Sequence, residues 1–184
     1  LEVTSLEQAR WAEQTDFHGI IACGIEAGGR VSQETTFCLL QRLSGQLRIP
    51  FWVQGGIGPD TAASALLAGA AGIVLAEQLW LADESTLPTA QKASLAASKT
   101  IDTQLVSDGQ TNYRFLTSSD RSAVTKLDQS IAEPAQWREI LVDLLDQGDL
   151  IPAGQDVTLA ARLARRHHHV AGIIKAYKLR SQEN

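Results

Sequence analysis

Residues 50–79 read PFWVQGGIGPDTAASALLAGAAGIVLAEQL, and this stretch has the clearest secondary-structure pattern of the chain. Two continuously apolar runs, Pro50–Gly55 and Gly72–Glu77, flank an Ala- and Leu-rich segment that follows Pro59. Runs without polar alternation are typical of strands that are buried on both faces of a parallel sheet, and the segment between them is typical of a helix. The stretch therefore predicts one β-α-β unit.

The same arrangement precedes this stretch. Apolar runs at Leu1–Thr4 and Gly19–Gly24 predict two further strands. The predicted helices that follow the four strands are Ser5–Gln14, Gln33–Leu47, Asp60–Ala68 and a fourth around Leu87–Ala97. Four βα units predict an α/β fold with a parallel sheet. Four units fit an open, doubly wound sheet as well as half of a TIM-type (β/α)8 barrel, and the periodicity does not choose between them.

The second half of the chain has a different pattern. Two β-prone segments, Thr103–Val106 and Tyr113–Leu116, flank Asp108-Gly109, which predicts a hairpin. The polar region Thr117–Ser130 is predicted to be a loop or linker. We therefore divide the chain into residues 1–105 with the four βα units, residues 106–130 with a hairpin and linker, and residues 131–184 as a helical extension.

Helical spacing returns in the extension. One apolar stripe consists of Trp137, Ile140, Leu141, Leu144 and Leu145, and it predicts a helix with one buried face. A glycine, Gly148, suits the end of that helix. The next predicted helix is Val157–Arg166, and Asp156 is placed to cap it.

Composition excludes several classes of protein. The chain has 184 residues, 44% of them hydrophobic, and a net charge of −5, which argues against a nucleic-acid partner because such proteins need a basic face. Its apolar runs fall far short of the roughly 20 residues that span a bilayer, so we expect a cytoplasmic protein without a membrane segment. Cys23 and Cys38 lack metal-ligand spacing, which predicts reduced core thiols and no metal site. The absence of methionine favours a piece of a longer protein.

Glycine-rich turns follow two of the predicted strands. GIEAGGR spans residues 24–30, and QGGIG spans residues 54–58. Glycine pairs at the carboxyl ends of parallel strands let a ligand approach the backbone, and backbone N–H groups beside a helix N-terminus bind anions. The second turn and the strand that ends at Ala76-Glu77 therefore predict a phosphate site. The alternative is that the first turn binds no ligand, and that its glycines are there only because a tight turn needs positive φ angles.

These motifs, in this order, resemble the C-terminal half of the nitronate monooxygenase (2-nitropropane dioxygenase) family. The similarity is greatest to the variety built into bacterial polyketide or polyunsaturated fatty acid synthases, and it continues weakly through Ala153-Gly154-Gln155. The resemblance implies the second half of an FMN-binding (β/α)8 barrel with a C-terminal helical extension. It also implies an FMN-dependent oxidoreductase, related to flavin-dependent enoyl reductases.

The implied partners are a missing N-terminal half of the barrel and acyl carrier or ketosynthase domains of the same synthase. The alternative function is a non-catalytic structural or docking remnant of the barrel in such a synthase.

The resemblance also implies roles for individual residues. Ala27 and Gly28 would approach the flavin, and Gln54, Gly55 and Gly56 would hold the FMN phosphate.

Two positions depart from the family pattern. Ala76 and Glu77 would complete the phosphate site, but the family usually has Gly-Thr there, and a carboxylate at Glu77 repels phosphate unless it turns away. Arg30 stands where the family has its catalytic histidine. A guanidinium does not accept a proton, so Arg30 would stabilise negative charge or be a surface arginine.

Overall fold

A computed structural model describes residues 1–97, 102–117 and 121–182. The parts of our three-way division of the chain that fall on residues 98–101, 118–120 and 183–184 lie outside the described residues.

The strands, in chain order, are β1 (Glu2–Val3), β2 (Ile20–Cys23), β3 (Gly29–Val31), β4 (Phe51–Gln54), β5 (Gly72–Ile73), β6 (Thr103–Ser107), β7 (Asn112–Thr117) and β8 (Leu150–Pro152). The helices are α1 (Leu6–Gln14), α2 (Thr36–Leu43), α3 (Ala62–Leu67), α4 (Thr89–Ala97), α5 (Ser122–Gln129), α6 (Pro134–Gln147), α7 (Val157–His167) and α8 (Val170–Gln182).

The four strands predicted from apolar runs form one parallel sheet in the order β1-β2-β4-β5. Each neighbour in this sheet is the next of these strands along the chain, with α1, α2 and α3 as the crossovers. A doubly wound sheet reverses its strand order, whereas a barrel adds each strand beside the preceding one. Within the described residues this sheet has no reversal of strand order, and the topology therefore agrees with barrel-type winding.

Local sequence explains where two crossover helices begin. The Ser5 side chain accepts the Gln8 N–H at the start of α1. In the same way Thr35 accepts the Cys38 N–H at the start of α2. These caps place both helix N-termini at the edge of the sheet where the strands end.

The remaining strands form an antiparallel sheet around β7. The predicted hairpin is confirmed, since β6 pairs along β7 from Thr103 to Ser107. Along the other edge of β7, β3 pairs with residues 112–114 and β8 pairs with residues 115–117. This sheet brings the turn that precedes β3 beside the segment that follows β8, although about 120 residues separate them.

Several local predictions were wrong. Residues 122–129 of the predicted loop Thr117–Ser130 form α5, and the predicted helical extension contains β8. The end of the GIEAGGR motif forms β3, which the sequence pattern did not predict. The fourth parallel strand ends at Ile73, and Glu77 begins a 3₁₀ turn, Glu77–Leu79.

Two large clusters of buried apolar side chains pack against the two sheets. The first lies around the parallel sheet and includes Leu163, Ile173 and Tyr177 from α7 and α8, so the last helices pack against the barrel strands. The second joins β6, β7 and β8 to α5 and α6 around Trp137, the first residue of the predicted apolar stripe. Gly148 ends α6 with a φ of 76°, as predicted.

The two cysteines differ in their surroundings. Cys23 is buried, as predicted, whereas Cys38 is exposed on α2, so the prediction of two core thiols was wrong for Cys38. No helix within the described residues combines the length and the apolar composition that crossing a bilayer requires.

Candidate functional site

Loops from both sheets meet at the carboxyl edge of the parallel strands. The turn of residues 24–28 follows β2, the loop of residues 54–58 follows β4, and residues 76–78 follow β5. The segment of residues 153–156 follows β8 and lies against the first of these turns, since the Gln155 N–H donates to the Glu26 carbonyl at 2.8 Å. This convergence is the candidate site.

The turn of residues 24–28 is anchored to its neighbours by Glu26. Its Oε2 accepts the Thr36 backbone N–H at 2.9 Å, at the start of α2. The Thr36 hydroxyl lies 3.0 Å from the same oxygen and 3.2 Å from the Gln54 carbonyl oxygen at the end of β4. Glu26 and the Thr36 hydroxyl together therefore join the turn, α2 and β4, so the loop positions depend on one another.

Glycines at the site permit close approach between loops of the protein itself. A Cβ added to Gly55 would lie 2.3 Å from the Ala27 nitrogen, and one added to Gly28 would lie 2.5 Å from Oε1 of Glu77. A Cβ added to Gly154 would lie 2.5 Å from the Glu26 carbonyl oxygen. The structure thus brings Ala27, Gly28, Gly55 and Glu77 together, and the 153–156 segment packs among them.

Glu77 does not turn away into solvent. It is 3% exposed, and its Oε1 accepts the Gly154 N–H at 2.6 Å. The Ala76 N–H donates to Oε1 of Gln78 at 2.8 Å. The backbone donors that follow β5 and β8 are therefore bonded to side chains of the chain itself.

Asp156 is the second buried carboxylate of the site. It precedes α7 but makes no side-chain cap hydrogen bond, contrary to the predicted capping role. Its Oδ2 instead accepts the Gln78 Nε2–H at 2.8 Å, and it is 4% exposed. The same Gln78 Nε2 lies 3.5 Å from the Ile57 carbonyl oxygen. Asp156 is thus joined through Gln78 to the loop after β4.

Burial raises the pKa of Asp156 to about 7. The nearby charge of Glu77 raises this pKa as well, while the N–H groups of Gly56 and Ile57 lower it. The Tyr177 hydroxyl donates to the Ile57 carbonyl at 3.0 Å from α8, and burial raises its pKa above the ordinary value. A desolvated carboxyl group with donors directed at it is therefore built into the site.

We expect this carboxyl group to make stability depend on pH. In the unfolded chain an aspartate has a pKa of about 4, so between about pH 4 and pH 7 the folded protein binds one proton more than the unfolded chain. The stability that this extra proton contributes to the folded protein is fully present below pH 4 and is lost as the pH rises through 7. Asp156→Asn should remove roughly 2–4 kcal/mol of this pH dependence and raise stability at pH 8.

Urea denaturation of both proteins from pH 4 to pH 8 tests this expectation. Asp143→Asn, which changes an exposed carboxylate on α6, serves as the matched control and should keep the wild-type profile. If the stability of Asp156→Asn depends on pH in the same way as that of the wild type, the raised pKa assigned to Asp156 is wrong.

Arg30 lies apart from the buried carboxylates. It is exposed on β3 and lines a polar cleft of about 270 Å³ together with Thr4 and Ser5, which follow β1, and Gln110 and Asn112 from the β6–β7 hairpin. The cleft has the chemistry for polar or anionic groups, since Arg30 carries a permanent positive charge. The described residues contain no group of three or more His, Cys, Asp or Glu side chains that could hold a metal ion.

Sequence reasoning missed the roles of Asp156, Gln78 and Glu26. The weak similarity at Ala153-Gly154-Gln155 was the one signal that the segment after β8 belongs to the site. No local pattern places Asp156 against Gln78, because that contact depends on the antiparallel sheet.

Three solved structures illustrate the similarity of fold. FabK from Thermotoga maritima has 24% sequence identity and a TM-score of 0.76, and the alignment covers 99% of this chain and 61% of FabK. A nitroalkane oxidase from Streptomyces ansochromogenes has 23% identity and a TM-score of 0.67, covering 99% of this chain and 56% of the oxidase.

The third is the enoyl reductase domain of MlnA, from the macrolactin biosynthesis cluster from Bacillus amyloliquefaciens. It has 16% identity and a TM-score of 0.66, covering 97% of this chain and 61% of that domain. The chain therefore spans about three fifths of the length of such structures.

No curated protein sequence matches the chain significantly. The sequence model of the nitronate monooxygenase family matches residues 1–173, nearly the whole chain. The barrel-type strand order and the glycine-rich loops at the carboxyl edge agree with that match. The chain belongs to the nitronate monooxygenase family.

Proposed function

We propose that this chain is the carboxyl-terminal part of an FMN-dependent oxidoreductase that serves a polyketide or fatty acid synthase as an enoyl-reductase-like domain. The observation that carries the proposal is the glycine-rich loop after β4, which lies at the carboxyl edge of a barrel-type sheet. Family membership supports oxidoreductase chemistry, and the MlnA domain supports the association with a synthase.

The loop after β4 fits the phosphate of FMN. Gly55 and Gly56 have φ angles of 100° and 69°, and glycines in this conformation let a ligand approach the backbone N–H groups closely. Gln54, Gly55 and Gly56 would hold the phosphate, and Ala27 and Gly28 would lie beside the flavin. FMN would supply the electron transfer, which no side chain of the described residues provides.

Arg30 favours a reductase over an oxidase. A guanidinium donates hydrogen bonds throughout the working pH range and does not remove a substrate proton. In the polar cleft Arg30 would bind and orient an oxygen of an acyl thioester on which negative charge develops. Nitronate-like substrates, whose oxidation relies on a base in this family, would react poorly.

The partner for barrel closure would pack beside β5. Within the described residues β5 pairs only with β4, and a largely apolar groove of about 520 Å³ runs along it between α3 and α8. Leu66, Ile73, Leu75 and Ile174 line this groove. We propose that it receives the other half of the barrel, and that acyl carrier or ketosynthase domains of the synthase are further partners.

A non-catalytic structural domain is the second candidate. The buried carboxylate of Glu77 beside Gly28 favours it, because a fixed negative charge opposes a flavin phosphate.

The test is flavin retention by the longest natural polypeptide that contains this chain. After incubation with FMN and removal of the excess, we expect a visible flavin band and NAD(P)H oxidation with an enoyl thioester. Nitroalkanes should be oxidised much more slowly. A polypeptide that is folded by circular dichroism but retains no flavin would support the structural candidate instead.

A further inference from the structure

Arg114 is a buried arginine on β7. It is 7% exposed, and its backbone lies opposite Gly29 of β3 and Leu105 of β6. An arginine is rarely buried to this extent unless a carboxylate pairs with it, because taking a charge out of water costs free energy. None of the ion pairs among the described residues includes Arg114. The neutral groups that hold its guanidinium therefore indicate what this buried charge does.

The guanidinium binds neutral oxygens on both sides of β7. Its Nε donates to the Ile25 carbonyl at 2.7 Å, in the turn of residues 24–28. Its Nη1 lies 3.1 Å from the Thr103 hydroxyl oxygen and 3.3 Å from the Thr103 carbonyl oxygen, on β6. Arg114 thus joins the antiparallel sheet to the turn beside which the flavin is proposed to lie.

The contact at Ile25 also affects the next N–H group of the turn. In a trans peptide the C=O and N–H bonds point in opposite directions, so the Glu26 N–H points away from Arg114. This N–H has no hydrogen-bond partner among the described residues, whereas the Ala27 N–H donates to the Gly24 carbonyl at 3.0 Å. A cation at the carbonyl oxygen polarises the peptide and makes its N–H a stronger donor to a ligand.

Two carboxylates lie at the same turn. The Glu26 carboxylate is bonded to Thr36, and Oε1 of Glu77 accepts the Gly154 N–H. Both would repel negative charge on a ligand beside the turn, and the positive charge of Arg114 opposes them. Loss of that charge would leave the two carboxylates unopposed by a buried cation from β7.

We propose that Arg114 is a positioning residue of the candidate site: it fixes the turn of residues 24–28 through the Ile25 carbonyl, and its charge lets the turn accept the negative charge of a reduced flavin. The flavin part of this inference rests on the proposed function, whereas the fixing of the turn does not. A reduced flavin carries a negative charge that the oxidised ring lacks, and protein charges near the ring tune its electronics.

Arg114→Gln tests the fixing of the turn in the protein without flavin. Glutamine keeps one donor group but has neither the charge nor the fork that reaches Ile25 and Thr103 together. In the polypeptide used for the flavin test, hydrogen–deuterium exchange of residues 24–28 should be at least about tenfold faster in this variant, because the turn opens more often. Exchange in α7 should not change. Arg138→Gln, which replaces an exposed arginine on α6, is the matched control and should exchange as the wild type does.

The two redox forms of FMN test the role of the charge. In anaerobic titration calorimetry, Arg114→Gln should lose about tenfold or more affinity for reduced FMN beyond any loss for oxidised FMN, as the loss of a charged partner predicts. Arg114→Lys keeps the charge, so its ratio of the two affinities should stay within about threefold of the wild-type ratio. A role confined to packing would weaken both redox forms equally.

The outcomes separate this inference from the proposed function. Unchanged exchange of residues 24–28 in a folded Arg114→Gln variant would overturn the inference, whatever the flavin result. Equal losses for the two redox forms would overturn its flavin part and leave the oxidoreductase proposal intact. If the wild type binds neither form of FMN, the proposed function fails together with the flavin part, and the exchange measurement still decides whether Arg114 fixes the turn.

Discussion

Gly24→Ala is expected to lower the free energy of unfolding by about 3 kcal/mol or more. A Cβ at position 24 would lie 2.0 Å from the Thr36 hydroxyl oxygen, 2.4 Å from its nitrogen and 2.5 Å from its Cα. Two of these atoms belong to the backbone at the start of α2, so a rotamer change does not relieve the contact. Either α2 or β2 therefore has to move, and Thr36 would lose its hydrogen bonds to Glu26 and Gln54.

Gly58→Ala is the matched control for this substitution. Its added Cβ would meet Leu159 Cδ1 at 3.5 Å, an ordinary van der Waals contact, and Gly58 does not have a positive φ angle. We expect a change within about 1 kcal/mol, because alanine fits this backbone without strain. Urea denaturation followed by circular dichroism measures both variants. Equal loss of stability in the two would show that the close packing of β2 against α2 is not the cause.

Trp137→Ala is expected to destabilise the second core by about 3–5 kcal/mol. Trp137 is 0% exposed and lies 5.5 Å, centroid to centroid, from the ring of Tyr113. It is the largest fully buried side chain of the described residues and joins α6 to the antiparallel sheet. Alanine would leave a large cavity between the helix and β7, and that sheet also positions the 153–156 segment.

Trp137→Phe separates packing from polarity at this position. The Trp137 Nε1–H is buried and has no hydrogen-bond partner, so phenylalanine removes an unsatisfied donor while keeping most of the ring contact. We expect a loss well below that of the alanine variant. Trp11→Ala, at a tryptophan that is 54% exposed, should change stability by less than about 1 kcal/mol. Thermal unfolding of all three variants provides the comparison, and a similar loss for Trp11→Ala and Trp137→Ala would contradict the assigned core.

Much of the parallel sheet could be predicted from residue patterns. The apolar runs that contain Ile20–Cys23 and Phe51–Gln54 have few alternatives to buried strands, because both of their faces are apolar. The boundaries were less predictable. Gly72–Ile73 is shorter than its apolar run, since the chain turns at Glu77 to bring Gln78 toward Asp156.

Some elements were harder to predict from the sequence, above all α5 and the short strand β3. Residues 122–129 are polar on their exposed side, and α5 is stabilised by burying Val124 and Leu127 against the second core. The sequence of the three-residue strand Gly29–Val31 has no alternation that predicts a strand. This strand forms because it pairs along one edge of β7. In both elements the stabilising contacts come from residues distant in the sequence, which a local pattern does not contain.

The number and order of the βα units, the glycine-rich loops at the strand ends and the family of the chain could all be predicted from residue patterns. These features depend on residues within one element or one turn, where side-chain periodicity and backbone freedom act directly. The contact of Asp156 with Gln78, and the position of Arg30 apart from these buried groups, followed only from the tertiary structure. The physical reason is that the pairing of β3 and β8 along one edge of β7 joins segments about 120 residues apart, and burial then raises the pKa of an ordinary aspartate.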